Sequence, residues 1–110
     1  MKKVKYSPAA LEDLQHIRDY ISDNWGENIA LKALKELTSD IRGLKQYPLS
    51  GVDLEKVIDV PTDYRYLFSE KSYVFYRIEL DVIQIVRVII ERQDYIQQLF
   101  GISSKSDEGY

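Results

Sequence analysis

Residues 73–90 read YVFYRIELDVIQIVRVII and are the clearest indication of the fold in this chain. Its two halves, Tyr73–Leu80 and Val82–Ile90, are rich in Tyr, Val, Ile and Phe, which are the residue types enriched in β-strands. A tight turn near Leu80-Asp81 separates them, and a run of similar composition, Tyr64–Phe68, comes shortly before them. The three runs together predict an antiparallel meander of strands.

The N-terminal half predicts one strand and two helices. Lys2–Tyr6 alternates polar and apolar residues, which is typical of a short strand. Ser7-Pro8 supplies a capping residue and a first-turn proline, and the apolar period that follows predicts a helix ending near Asn24. The same period returns after Trp25-Gly26 and stops at Tyr47-Pro48, because the residue before a proline disfavours helix. The two helices are expected to form an antiparallel hairpin.

Three further segments complete the organisation. Residues 47–62 hold two prolines and no sustained period, which indicates a long connection. Arg92–Phe100 predicts a short closing helix. We therefore predict one α+β domain over residues 1–102 and a polar tail over residues 103–110. In this fold a small antiparallel sheet, made of the N-terminal strand and the three-strand meander, is covered on one face by the helical hairpin.

Composition excludes several classes of function. The 110 residues contain no cysteine, which excludes disulfides, thiol nucleophiles and thiolate metal sites, and the only histidine, His16, has no second ligand at a suitable spacing. We therefore expect no metal and no cofactor. Phosphate-binding glycine loops and nucleophile elbows are absent from the sequence. The sequence shows no membrane span or signal peptide, so the expected location is the cytoplasm, and a net charge of −3 provides no global basic field for nucleic acid.

Two arginines interrupt the apolar strands of the meander. An unpaired charge buried at Arg77 or Arg87 would cost several kcal/mol, so each arginine must face solvent, pair with a carboxylate or meet a ligand. The carboxylates expected across the strands are Glu79, Asp81 and Glu91. Pairing Phe75 with Arg87 would place both arginines on one face, whereas pairing Val74 with Arg87 would place them on opposite faces. The sequence leaves both registers open.

Several short segments are characteristic when they are taken together. The chain opens with Lys5-Tyr6-Ser7-Pro8-Ala9-Ala10-Leu11-Glu12-Asp13-Leu14, continues with Ile17-Arg18-Asp19-Tyr20-Ile21, and closes with Arg92-Gln93-Asp94-Tyr95. Between them lie the Tyr47-Pro48 stop and the two apolar strands. In this order and spacing the segments resemble the RelE/ParE superfamily of bacterial toxins over residues 3–100. The resemblance implies the toxin of a type II toxin–antitoxin pair, which is wrapped by a small antitoxin.

The superfamily uses one fold for two actions. RelE-like members enter the ribosomal A site and cut mRNA, whereas ParE-like members act on DNA gyrase without being nucleases. We expect ribosome-dependent mRNA cleavage ahead of gyrase inhibition and ahead of an inactive interaction module. The implied partners are the antitoxin, in a complex that can be a larger oligomer, and either the ribosome with mRNA or gyrase. The antitoxin is expected at an open edge or face of the sheet that carries Tyr64, Tyr66 and Phe68.

For mRNA cleavage, the resemblance implies a site without a metal. Arg92 would stabilise the pentavalent phosphorus, and Tyr95 would orient a base or exchange a proton. Further cations would neutralise the phosphate, and these are Arg65, Lys71, Arg77 and Arg87. Many relatives carry a histidine beside the closing motif, whereas this chain has Ile90 and Asp94 there. Neither residue replaces an imidazole as an acid–base group near neutral pH.

Overall fold

The computed structural model describes residues 2–90, which form an open five-stranded sheet with two helices on one face. The strands are β1 (Lys3–Tyr6), β2 (Val52–Asp53), β3 (Arg65–Ser69), β4 (Ser72–Ile78) and β5 (Val82–Ile90). The helices are α1 (Pro8–Trp25) and α2 (Glu27–Arg42). Short 3-10 turns at Gly43–Lys45, Pro48–Ser50 and Leu54–Lys56 lead from α2 towards β3. The strand order across the sheet is β1-β5-β4-β3-β2.

The predicted α+β class, the helical hairpin and the antiparallel meander are confirmed. β3 pairs with β4 and β4 pairs with β5, both in the antiparallel sense. Side chains of α1 and α2 pack against one face of these strands and form the main core. Its buried members include Ile17, Leu37, Ile41, Val74, Ile83 and Ile85. The helices therefore cover one face of the sheet and leave the other face to the loops.

The sheet differs from the predicted one at both edges. β1 runs parallel to β5, with Lys3 opposite Val82 and Tyr6 opposite Ile85, so the sheet is mixed rather than wholly antiparallel. Tight turns make consecutive strands antiparallel, whereas β1 and β5 are far apart in sequence and no turn sets their relative direction. At the other edge, β2 is a two-residue strand inside the segment that was expected to be a connection only.

The helix boundaries follow the local sequence signals. Ser7 caps α1, since its Oγ accepts the Ala10 N–H at 3.0 Å, and Pro8 occupies the first helical turn. Gly26 has a φ of 96° and separates α1 from α2. Neither α1 nor α2 combines the length and the apolar character that a bilayer span requires. The predicted closing helix at Arg92–Phe100 and the predicted tail lie outside the described residues.

Candidate functional site

Arg87, one of the predicted phosphate-binding cations, is held by a carboxylate of α1. Its Nε donates to Asp13 Oδ2 at 2.7 Å and its Nη2 donates to Asp13 Oδ1 at 2.9 Å, which makes a bidentate pair. The side chain of Asp13 is only 10% exposed and that of Arg87 25%. The hydrogen bonds from Arg87 to Asp13 raise the pKa of the guanidinium. A cavity of about 360 Å³ beside the pair is also lined by Glu12 and His16.

Asp13 and Ser7 also complete the edge of β5 beyond the end of β1. The pairing with β1 stops at Ile85, so the backbone groups that follow it need other partners. Ser7 Oγ donates to Val86 O at 2.7 Å, and Asp13 Oδ2 accepts the Val88 N–H at 2.9 Å. Asp13 is thus both the counter-ion of an arginine and a substitute for the missing neighbouring strand.

A β-bulge interrupts the register that was expected to bring the two arginines together. Phe75 does pair with Arg87, which is the pairing predicted to place Arg77 and Arg87 on one face. The next residue of β4, Tyr76, pairs with Ile85, so β5 contains one extra residue at this point. A bulge changes the alternation of side chains along its strand. The register alone therefore does not place the two guanidinium groups together.

Arg77 pairs instead with Asp63, in the loop before β3. Its Nε and Nη2 lie 3.2 Å and 3.1 Å from Asp63 Oδ2, and the two side chains are 44% and 69% exposed. The preceding residue, Tyr76, packs on the helix-covered face, so Arg77 points to the opposite face because side chains alternate along a strand. Both arginines have carboxylate partners, but these come from α1 and a loop, whereas the sequence analysis suggested cross-strand carboxylates.

Arg65 belongs to a hydrogen-bond network that closes the segment before β2 onto the sheet. Its Nη2 donates to Gly51 O at 2.8 Å and to Leu49 O at 3.3 Å. Arg65 pairs across the strands with Tyr76, whose hydroxyl donates to Pro48 O at 2.7 Å and accepts the Gly51 N–H at 3.1 Å. Burial raises the pKa of Tyr76, so its hydroxyl keeps the proton that it donates.

Lys71 lies in the two-residue turn between β3 and β4. Glu70 and Lys71 have φ values of 49° and 59°, and Ser69 pairs with Ser72, which is the geometry of a type I′ hairpin turn. Left-handed backbone is costly for residues other than glycine. Ser69 Oγ donates to Asp40 Oδ2 of α2 at 2.5 Å, and this hydrogen bond links the β3–β4 turn to α2.

The predicted phosphate-binding cations do not converge on one point. Arg65 and Arg77 lie at one end of the β3–β4 pair on opposite faces, and Lys71 lies in the turn at the other end. Arg87 is engaged by α1. Arg92 and Tyr95, the predicted catalytic residues, lie outside the described part of the chain, and their roles stay predictions. In the described part, no three His, Asp or Glu side chains are grouped so that they could hold a metal ion.

Asp13 was not predicted to be a key residue, although the sequence contains a signal for it. The buried residues of α1 are Ala10, Asp13 and Ile17, whose spacing of three and four places them on one helix face. A carboxylate within an apolar stripe needs a partner when it is buried. An arginine within an apolar strand has the same need, so the two observations together would have suggested the Asp13–Arg87 pair.

An apolar groove lies between the helical hairpin and the end of β5, and we call it the α1–α2 groove. Its volume is about 550 Å³. Its apolar wall includes Ile17, Tyr20, Trp25, Ile29, Ala33 and Ile90. Trp25 is 60% exposed and Ile29 52% exposed, and the Tyr20 ring meets the Trp25 ring edge-on at a centroid distance of 5.8 Å.

The face opposite the helices carries an aromatic cluster. Tyr66 and Tyr73 meet edge-on with centroids 5.4 Å apart, and the centroids of Phe68 and Tyr73 are 5.0 Å apart. Phe68 is 48% exposed, and Val52, which pairs with Tyr66, is 45% exposed. We call Val52, Tyr66, Phe68 and Tyr73 the outer patch. Exposed apolar surface of this kind is typical of protein-binding sites.

Comparisons with known proteins point to one family. The sequence profile described as the ParE toxin of the type II toxin-antitoxin system, parDE, matches residues 4–95. A search of curated proteins gives no significant match. Among solved structures, the chain is similar to one from the chromosomal ParDE TA system from P. aeruginosa, with a TM-score of 0.70 and 27% sequence identity. That match covers 82% of this chain and 96% of the other. This chain therefore belongs to the ParE toxin family of type II toxin–antitoxin systems, within the RelE/ParE superfamily.

Proposed function

We propose that this ParE-family toxin inhibits DNA gyrase through a protein–protein contact. The resemblance to the superfamily implies gyrase as the target of ParE-like members, and the family match supports the same action here. The preference for mRNA cleavage that the sequence analysis reached receives no support from this match. The dispersion of the predicted phosphate-binding cations is the observation that carries the proposal.

Cleavage of an RNA phosphodiester requires positive charge concentrated at one phosphate. In this chain Arg87 is bound bidentately by Asp13, and Arg65 donates to two backbone carbonyls. Arg77 is paired with Asp63 on the other face of the sheet. Moving Arg87 towards a phosphate would leave the buried Asp13 carboxylate unpaired, at a cost of several kcal/mol. These contacts support a role for Arg65 and Arg87 in folding rather than in phosphate binding.

A gyrase inhibitor needs a protein-binding surface in which a few aromatic or arginine anchors dominate the affinity. The outer patch offers such anchors, since Phe68 and Val52 are about half exposed and the Phe68 ring contacts the Tyr73 ring. Arg77 lies on the same face and its side chain is 44% exposed. We therefore assign the gyrase contact to the outer patch and its neighbour Arg77.

The same surface is the proposed binding site of the antitoxin. The similar solved structure is described as a ParDE toxin–antitoxin system, which supports an antitoxin partner for this chain. Tyr66 and Phe68, which were expected to contact the antitoxin, are both members of the outer patch. An antitoxin bound there would exclude gyrase by competition. Co-expression with the adjacent reading frame is expected to yield a stable complex, and recovery of the toxin alone would contradict this assignment.

Two assays in parallel test the target. Purified toxin is added to gyrase with relaxed plasmid, and separately to translating ribosomes with a defined message. We expect supercoiling to stop while the message stays intact. Codon-positioned cuts that require ribosomes, together with normal supercoiling, would overturn the proposal and restore mRNA cleavage, with Arg92 and Tyr95 as the first residues to replace.

Substitutions in the outer patch test the contact surface. Phe68→Ala is expected to raise the toxin concentration needed for half-inhibition roughly 30-fold, because loss of an aromatic anchor costs about 2 kcal/mol. Leu80→Ala is the matched control, since Leu80 is 87% exposed in the β4–β5 turn and lies outside the patch. Equal inhibition by the two variants, with both folded by circular dichroism, would remove the outer patch from the interface.

A further inference from the structure

Residues 47–51, which we call the strap, carry two strongly exposed apolar side chains. Tyr47 is 64% exposed and Leu49 is 68% exposed. The strap ends directly before Val52, which belongs to the outer patch and forms part of β2. The two surfaces are therefore continuous along the chain. The proposed function uses the outer patch and Arg77 and leaves the strap unassigned.

Two side chains of the sheet hold the backbone of the strap. The hydroxyl of Tyr76 in β4 donates to Pro48 O at 2.7 Å and accepts the Gly51 N–H at 3.1 Å. Nη2 of Arg65 in β3 donates to Gly51 O at 2.8 Å and to Leu49 O at 3.3 Å. These polar backbone groups thus have partners within the protein.

The strap also bonds to itself and lies close to β3. The Tyr47 N–H donates to Gly43 O at 3.0 Å, and the Ser50 N–H donates to Tyr47 O at 3.1 Å. A Cβ atom at Gly51 would lie 2.6 Å from Tyr66 O, a distance too short for any residue with a side chain. The fold itself therefore fixes the backbone of the strap.

This arrangement suits a surface that another protein covers. Covering a polar backbone group is unfavourable unless the group keeps a hydrogen bond, and the carbonyls of Pro48, Leu49 and Gly51 keep theirs when water is excluded. Side chains on a backbone that is already fixed also lose less conformational entropy on binding. Tyrosine is among the residues that most often dominate the affinity of an interface.

We propose that gyrase covers the strap together with the outer patch, with Tyr47 and Leu49 as anchors of the contact. Arg65 and Tyr76 act as positioning residues, since they hold the strap in place from the sheet. The inference rests on the proposed function, because the continuity of the strap with Val52 is what assigns gyrase to it.

Supercoiling assays with a pair of leucine variants test the anchors. Leu49→Ala is expected to raise the toxin concentration needed for half-inhibition about 5-fold and Tyr47→Ala about 10-fold, because the contact loses the apolar surface that these side chains bury. Leu80→Ala is the matched control, since Leu80 is 87% exposed and lies in the β4–β5 turn. The control is expected to inhibit as the parent toxin does.

The outcomes separate this inference from the proposed function. If the parent stops supercoiling and the folded Tyr47→Ala and Leu49→Ala variants inhibit as strongly as Leu80→Ala, the strap lies outside the contact and the proposed function stands. Unchanged inhibition combined with weaker binding to the co-expressed antitoxin would assign the strap to the antitoxin and overturn the inference. A parent toxin that leaves supercoiling intact would contradict both.

A second comparison tests the positioning role. Tyr76→Phe removes the hydroxyl that holds the strap and is expected to raise the half-inhibitory concentration about 5-fold, because the anchors lose their fixed geometry. Ile83→Val is the control, since it shortens a fully buried side chain of β5 and lowers stability to a comparable extent. Both variants are assayed at a temperature at which circular dichroism shows them folded. Equal inhibition by the two variants would show that the Tyr76 hydroxyl contributes to stability alone and would remove Tyr76 from the proposal.

Discussion

Two ion pairs, one where α1 meets β5 and one on the opposite face of the sheet, use the same residue types in different surroundings. Asp13 and Arg87 form a bidentate pair whose side chains are 10% and 25% exposed. Asp63 and Arg77 meet through a single carboxylate oxygen, and their side chains are 69% and 44% exposed. Both arginines interrupt an apolar strand in the same way. The location of the carboxylate therefore determines whether the arginine is held in the fold or lies at the surface.

Asp13 of α1 has more hydrogen-bond partners than Asp63 of the loop. Asp13 accepts two hydrogen bonds from Arg87 and one from the Val88 N–H. Removing it would take away both hydrogen bonds between Arg87 and α1 and would leave the Val88 N–H at the edge of β5 without its carboxylate acceptor. Asp63 lies in solvent and forms an ordinary surface pair. The two pairs should therefore respond to substitution with very different changes in stability.

The largest effect is expected at Asp13. Asp13→Ala should lower the free energy of unfolding by about 3 kcal/mol, since it removes the bidentate carboxylate partner of a partly buried guanidinium. Urea unfolding monitored by circular dichroism measures the change. The double variant Asp13→Ala, Arg87→Met should recover part of this loss, because it also removes the positive charge of the guanidinium. A loss below about 1 kcal/mol would place this pair in the class of surface pairs.

Gly51→Ala is expected to have the next largest effect on stability. A Cβ atom at Gly51 would lie 2.6 Å from Tyr66 O and closer still to the Tyr76 hydroxyl. Such overpacking typically costs about 2 kcal/mol. Gly43→Ala is the control, because a Cβ at Gly43 meets nothing within 4 Å and the φ of Gly43 is −60°. Thermal unfolding should show a clear decrease for the first variant and no decrease for the second.

Tyr76→Phe is expected to cost about 1 kcal/mol, because it removes the hydroxyl that bonds Pro48 O and the Gly51 N–H. Burial raises the pKa of Tyr76 above the usual value of about 10. The unfolded chain then releases this proton first, so the stability due to Tyr76 is complete below about pH 10 and declines as the pH rises further. The difference in stability between the parent and Tyr76→Phe should accordingly shrink above pH 10. A difference that stays constant to pH 11 would contradict this assignment.

Local patterns in the sequence predicted the elements well, and contacts distant in sequence explain the remainder. The helix expected from Ser7-Pro8 to Asn24 extends over Pro8–Trp25, because capping and apolar period act within a few residues. The direction of β1 and the partner of Arg87 were not predicted. Asp13 and Arg87 are 74 residues apart, so only the tertiary fold brings them together.

The candidate site shows the same division. The sequence identified which residue types could bind phosphate, but the bulge at Val86 alters the alternation of side chains near Arg87, and a loop supplies Asp63 as the partner of Arg77. Neither feature has a local signal, since the β4–β5 turn lacks the Asn-Gly or Asp-Gly that would set a register. The roles of Arg92 and Tyr95 remain predictions.

The smallest effect is expected at the exposed pair. Asp63→Ala and Arg77→Ala should each change the free energy of unfolding by no more than about 0.5 kcal/mol, because exposed ion pairs gain little in water and are screened by salt. Urea unfolding at low and high salt checks this, and a loss above about 1 kcal/mol would make the two pairs equivalent. Since folding does not depend on the exposed pair, Arg77→Ala also isolates the contact with the target. A folded Arg77→Ala variant that inhibits gyrase less well would show that this arginine, unlike Arg87, is available to a partner.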